Sequence, residues 1–108
     1  MLESIALGMV LENDLTGYDI KKRIETDIGV FYKASFGSLY PALKRLTEKG
    51  LLTTTEKPQG NRKKIFYHIT EEGQNQFFDW LSSPMNIFEG TNTHLAKVYF
   101  LDKLSQEI

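Results

Sequence analysis

A mostly helical α+β domain, with three helices, a β-hairpin and two further helices, is the fold class this 108-residue chain predicts. Three observations carry that expectation. Apolar residues recur at helical spacing three times before Gly50, two strand-like runs then flank a turn rich in Pro58, Gly60 and Asn61, and helical spacing returns after Thr70. With 41% hydrophobic residues, the chain buries one modest core.

The first helix begins almost at Met1. Leu2, Ile5, Ala6, Met9 and Val10 form its buried stripe, and Asn13-Asp14 supplies a stop. Thr16-Gly17-Tyr18-Asp19 has the spacing of a capping box, a hydroxyl for an orphan amide with a carboxylate three residues on, and Ile20, Ile24 and Ile28 carry a second helix to Gly29. Residues 30–34 read as an extended connector. In the third helix Leu39, Leu43 and Leu46 share the core side, while Tyr40, Lys44 and Glu48 point away. Because Pro41 lacks an amide donor and suits only a helix start, the N-cap is expected at Gly37 or Ser38. Gly50 supplies a left-handed stop.

Leu51 to Glu56 and Lys64 to Ile69 are the two expected strands of the hairpin. Thr70 then caps a fourth helix, with Glu71 and Glu72 against the positive end of its dipole and Phe77, Trp80 and Leu81 burying it as far as Ser82-Ser83-Pro84. A last helix from about Thr93 carries Leu95, Val98, Tyr99, Leu101 and Leu104, apolar around too much of its circumference for a free surface helix. It calls for a partner. The chain stops at Ile108 without a capping glycine, so this helix is expected either to continue or to be completed by another subunit. The expected division is a head at 1–83 and the start of a dimerisation segment at 84–108.

A helix with one core face and one polar face, followed by a hairpin, is the pattern of a winged helix-turn-helix. Charge fits that reading by region rather than in total. The formal net charge is −1, yet residues 51–70 hold Lys57, Arg62, Lys63 and Lys64 against Glu56 alone, and the chain beyond Thr70 is acidic. A basic hairpin tip beside a candidate reading helix points to double-stranded DNA, although such charge runs are usually only solvated. Ser38, Tyr40 and Lys44 project from the early turns of the helix, with Gly37 permitting close backbone approach. Helix context alone leaves Ser38 equally an N-cap and Tyr40 equally a packing residue. Tyr18 and Lys21, at the start of the second helix, can clamp a phosphate, and Tyr18 reads almost as well as half-buried core.

There is no cysteine, which removes disulfides and thiolate zinc sites. His68 and His94 have no evident metal partners, and no nucleophile or paired-carboxylate constellation stands out. Neither a metal, a cofactor nor enzymatic activity is expected. The absence of a leader or a long apolar run predicts a cytoplasmic protein with no membrane partner. Trp80, Phe88 and Phe100 are candidates for a pocket that takes a small aromatic effector, although an aromatic stripe is more often core or dimer seam.

The chain resembles the PadR-like winged-helix transcriptional regulators over about Leu2 to Leu104. The resemblance rests on Leu15-Thr16-Gly17-Tyr18-Asp19-Ile20, on Ser38-Leu39-Tyr40-Pro41-Ala42-Leu43-Lys44-Arg45-Leu46, on Glu48-Lys49-Gly50-Leu51, on Tyr67-His68-Ile69-Thr70-Glu71-Glu72-Gly73 and on Trp80-Leu81-Ser82-Ser83-Pro84. It implies a homodimer on an inverted-repeat operator, usually a repressor released by an effector or a stress. It also favours DNA contact for Ser38 and Tyr40 and a phosphate role for the Gly17-Tyr18 pair. A winged helix used as a protein-interaction module, or a dimer that is primarily a small-molecule sensor, are the alternative readings.

Overall fold

The computed structural model describes residues 1–85 and 90–106. Its elements run α1 (Leu2–Val10), β1 (Leu15–Thr16), α2 (Gly17–Ile28), α3 (Phe36–Glu48), β2 (Leu52–Gln59), β3 (Arg62–Ile69), α4 (Glu71–Ser82) and α5 (Thr91–Ser105). This is the mostly helical α+β winged helix expected. Every residue of α1 from Ile5 to Val10 is buried, and the helix forms the centre of the core. Around it close Ile20, Ile24 and Ile28 of α2, Leu39, Leu43 and Leu46 of α3, and Phe77 of α4.

The caps explain where the helices start. Thr16 accepts from the Asp19 amide at 3.1 Å while the Asp19 carboxylate accepts from the Thr16 amide at 3.2 Å, so the predicted capping box forms. Thr70 accepts from the Gly73 amide at 3.0 Å and donates to the Gly50 carbonyl at 2.8 Å, tying the start of α4 to the end of α3. That end is a Schellman turn. Gly50 stands at φ 75°, its amide donates to the Thr47 carbonyl, and the Leu51 amide donates to Leu46.

Three expectations need correction. The N-cap of α3 is Ser35, not Gly37 or Ser38, and Ser38 is instead the distal member of a Ser35–Ser38 capping box. Pro41 therefore lies inside the helix, where it withholds a donor from the Gly37 carbonyl, a loss that is tolerated because Gly37 is exposed to solvent. The hairpin strands are longer than expected, pairing from Leu52↔Ile69 to Gln59↔Arg62 and leaving Gly60-Asn61 as the turn. Pro58 is inside β2, which is tolerated because β2 is an edge strand. Finally, the wing's two strands belong to a three-stranded antiparallel sheet of order β1-β3-β2, with Leu15↔Tyr67 and Thr16↔Phe66 paired. Only the base of the sheet reaches the core, through Leu15, Leu52, Tyr67 and Ile69, and residues 53–65 stand in solvent.

Helix α5 docks across α1 and α4. Ala96, Lys97 and Phe100 are buried, and Gly8 makes the approach possible, since a Cβ there would lie 2.6 Å from the rings of Phe77 and Phe100. The Lys97 ammonium donates to the Ser83 hydroxyl at 2.8 Å and sits 5.5 Å from the Trp80 ring centre. Tyr99 donates its phenol to the Asp27 carboxylate of α2; burial first, and that acceptor second, push the Tyr99 pKa up. On the outer face Leu95, Val98 and Leu101 remain 40%, 52% and 48% exposed, three apolar side chains in a stripe. Tyr99 and Leu104, grouped with them from the sequence, pack partly against the core instead. Among the described residues, no helix is long and apolar enough to cross a membrane.

Candidate nucleic-acid interface

The core-facing leucines of α3 fix which residues face outward. Gly37, Ser38, Tyr40 and Lys44 are all exposed, on the side the sequence assigned to them. Two neighbouring basic residues are turned elsewhere: Arg45 of this helix and Lys49, its C-cap, hold Glu3 of α1 at 2.7 and 3.5 Å. The Arg45 guanidinium keeps the Glu3 carboxyl below its usual range, outweighing the opposite effect of partial burial. Lys44 is thus the lysine of α3 that stays on the outward face clear of this cluster. The Ser38 hydroxyl is occupied locally, 3.1 Å from that of Ser35, and it donates to the Ser35 carbonyl at 3.1 Å. Ser38 is therefore both a capping partner and an exposed group.

A cleft of about 660 Å³ opens between the N-terminal turn of α2, Tyr40 of α3 and the wing tip. Its walls include Tyr18, Tyr40 and Tyr67, and its rim carries Arg62, Lys63 and Lys64. Five residues singled out from the sequence, Tyr18, Tyr40, Arg62, Lys63 and Lys64, therefore meet around one space although they come from three separate elements. Tyr40 reaches it by lying on Gly17, where a Cβ would stand 2.7 Å from its ring. Tyr67, whose phenol burial and the neighbouring Tyr40 push up in pKa, forms the floor next to the core. Lys63 meets Glu56 only loosely, at 3.8 Å with both side chains exposed, so little of its charge is neutralised there.

Gly37, Ser38, Lys44 and Lys21 lie outside that cleft. Lys21 is paired with Glu25 one turn on and stands 4.9 Å from the Phe36 ring centre, so part of its charge is already engaged. The sequence reading passed over Phe36. It is the first residue of α3, 40% exposed, and stacked between Tyr18 and Tyr40 at centroid distances of 6.4 and 5.7 Å. The signal that finds it is Ser35 followed by Ser38, a serine-only capping box that starts the helix before Phe36.

Strand alternation turns His68 to the sheet face opposite Tyr67. There it bridges the Asp14 carboxylate at 2.9 Å and the Thr55 hydroxyl at 2.7 Å, fastening the wing to the segment before β1. Among the described residues, no group of three or more His, Cys, Asp or Glu is placed to hold a metal ion. Trp80 and Phe100 meet edge to face at 6.3 Å, and Phe77 meets Phe100 at 5.1 Å, so these rings fill space with one another. Phe88, the third residue of the expected pocket, lies outside the described residues.

An outward-facing helix and a basic wing on either side of one aromatic-walled cleft define a winged-helix protein with the architecture of a transcription regulator. The chain belongs to the transcriptional regulator PadR-like family, whose model matches residues 6–79. It is similar to the negative transcriptional regulator PadR of Bacillus subtilis strain 168, with 32% identity over 109 residues covering 99% of this chain and 60% of that protein. The crystal structure of Bacillus subtilis PadR with operator DNA superimposes with a TM-score of 0.78 at 31% identity, over 99% of this chain and 62% of the other. The structure of the same regulator with p-coumaric acid gives a TM-score of 0.67 at 30% identity, over 98% and 59%. The chain thus spans about three fifths of the length of these relatives.

Proposed function

We propose that this protein is a sequence-specific DNA-binding regulator of transcription, a repressor that occupies an inverted-repeat operator as a homodimer. The observation that carries the reading is the convergence of Tyr18, Tyr40 and the Arg62-Lys63-Lys64 tip on the cleft beside the exposed face of α3. A helix N-terminal turn that enters the major groove puts base edges within reach of Ser38, Tyr40 and Lys44, and the wing then neutralises phosphates along the neighbouring backbone. Tyr18, Lys21 and Gly37 contact the sugar-phosphate chain. The similarity to a negative regulator seen on operator DNA supports repression as the output.

Residues 1–83 form the DNA-binding head, and 84–108 begin the dimerisation segment. The stripe of Leu95, Val98 and Leu101, assisted by Tyr99 and Leu104, meets its copy across a two-fold axis. The protein works in the cytoplasm as a regulator, not an enzyme. A footprint on the DNA upstream of its own gene tests this: two protected half-sites about one helical turn apart are expected. One asymmetric protected half contradicts the dimer.

The effector in this reading is a small aromatic acid. The relative's complex with p-coumaric acid supports this reading. Because Trp80 is the single tryptophan, quenching of its fluorescence by p-coumaric acid reports binding directly, and an unchanged spectrum argues against it.

A further inference from the structure

Phe36 is an apolar ring left exposed on a surface that also carries hydroxyls, phenols and amines. It is the first residue of α3, the end of a reading helix that enters the groove. Its faces are engaged. Tyr18 stacks on it with an interplanar angle of 20° and Tyr40 with 24°, and the Lys21 ammonium lies 4.9 Å from its centre. Three near-parallel rings drawn from α2 and α3 lie beside one another, and these contacts restrict the orientations open to Phe36. Even so, 40% of the residue remains exposed.

A phenyl ring neither donates nor accepts a conventional hydrogen bond, and so cannot read the amide, keto or ring-nitrogen groups of a base edge. The apolar group that the major groove offers is the C5 methyl of thymine, with 5-methylcytosine its chemical equivalent. Resting on the DNA-binding reading above, we propose that Phe36 is a specificity-determining residue whose exposed ring takes a thymine methyl group at one position of each half-site. Tyr18 and Tyr40 act as positioning residues for it. The phenol of Tyr18 reaches for the backbone and that of Tyr40 for a base edge, and their rings flank the apolar reader.

The test is a methyl scan. Each thymine of the protein's own upstream site is replaced in turn by deoxyuridine, which keeps every hydrogen-bonding group and deletes only the methyl, and binding of the full chain is measured by fluorescence anisotropy. At one position per half-site the loss is expected to weaken binding about three- to fivefold, the scale of one buried methyl group. Phe36→Ala should abolish the penalty at that position and keep the penalties elsewhere. 5-Methylcytosine placed there should bind more tightly than cytosine in the natural protein and equally in Phe36→Ala. Phe36→Leu, which retains an apolar side chain and serves if the alanine variant is unfolded, should keep part of the penalty. Equal deoxyuridine penalties in the natural protein and both variants would overturn the proposal, leaving Phe36 a packing residue. A natural protein that binds its upstream DNA no better than a scrambled duplex would overturn the DNA-binding reading itself, a result distinguishable from the first.

Discussion

The head and the last helix close their apolar faces in different ways. In α3 the leucines at 39, 43 and 46 all disappear into the core, and what remains outside is mainly polar or aromatic, with Tyr40 reaching the cleft. In α5, Ala96 and Phe100 turn inward while Leu95, Val98 and Leu101 turn outward and stay about half exposed among the described residues. The starts differ too. In the head α2, α3 and α4 each carry a side-chain cap and α1 alone lacks one, whereas α5 begins at Gly90 without one. An element closed by its own chain can present polar groups to a ligand, and one with two apolar faces is built to be covered twice. In the proposed function, the head is accordingly the reading part and α5 the joining part.

The largest effect should come from separating the two. Val98→Asp puts a carboxylate in the exposed stripe without touching the core, so the head should remain folded while the dimer dissociates. Losing the second half-site lowers operator affinity by about 100-fold or more. Sedimentation velocity and anisotropy together measure this, and an unchanged mass with unchanged affinity would remove the stripe from the interface. Next in size is Gly8→Ala, which drives a Cβ to 2.6 Å from Phe77 and Phe100. Overpacking of that kind costs about 1–3 kcal/mol, to be read from urea unfolding. No loss of stability would mean that α5 does not seat on α1 as described.

The smallest effect concerns the link between the two regions through Tyr99 and Asp27. The folded Tyr99 pKa lies above the ordinary 10.0, so its contribution is fully present below that pH and fades as pH rises through the higher folded value. Thermal unfolding of the natural protein should therefore weaken with pH above about 10 more steeply than that of Tyr99→Phe. Parallel curves would show that the phenol does not hold α5 to α2.

How much of this was legible in the sequence depends on how local each signal is. The caps at Thr16 and Thr70, the stripe of Ile20, Ile24 and Ile28 and the stop at Gly50 are set by residues within a turn of one another, and all are found where expected. The start of α3 was not, because Pro41 argues for a later N-cap unless the Gly37 carbonyl is known to face water. Pro58 hid the length of β2 in the same way, since whether a proline interrupts a strand depends on whether that strand is an edge. Strand β1 is two residues long and exists only through its pairing with Tyr67 and Phe66, a contact no local pattern records.

The candidate site divides similarly. The wing charges and Tyr40 are visible as residue types at recognisable places, and the family motif marks Tyr18. Phe36 becomes visible only once the helix is known to begin there and two tyrosines from different helices are seen to bracket it.

The central claim, that α3 and the wing together form a DNA-reading surface, is tested most directly by anisotropy titrations of the natural protein and Lys64→Ala against its own upstream duplex and a scrambled one at several salt concentrations. The expected result is preference for the upstream duplex, with affinity falling steeply as salt rises. In Lys64→Ala the slope of log affinity against log salt should be shallower by about one unit on both duplexes alike. Binding indifferent to salt and sequence, with an unchanged slope in the variant, would contradict it.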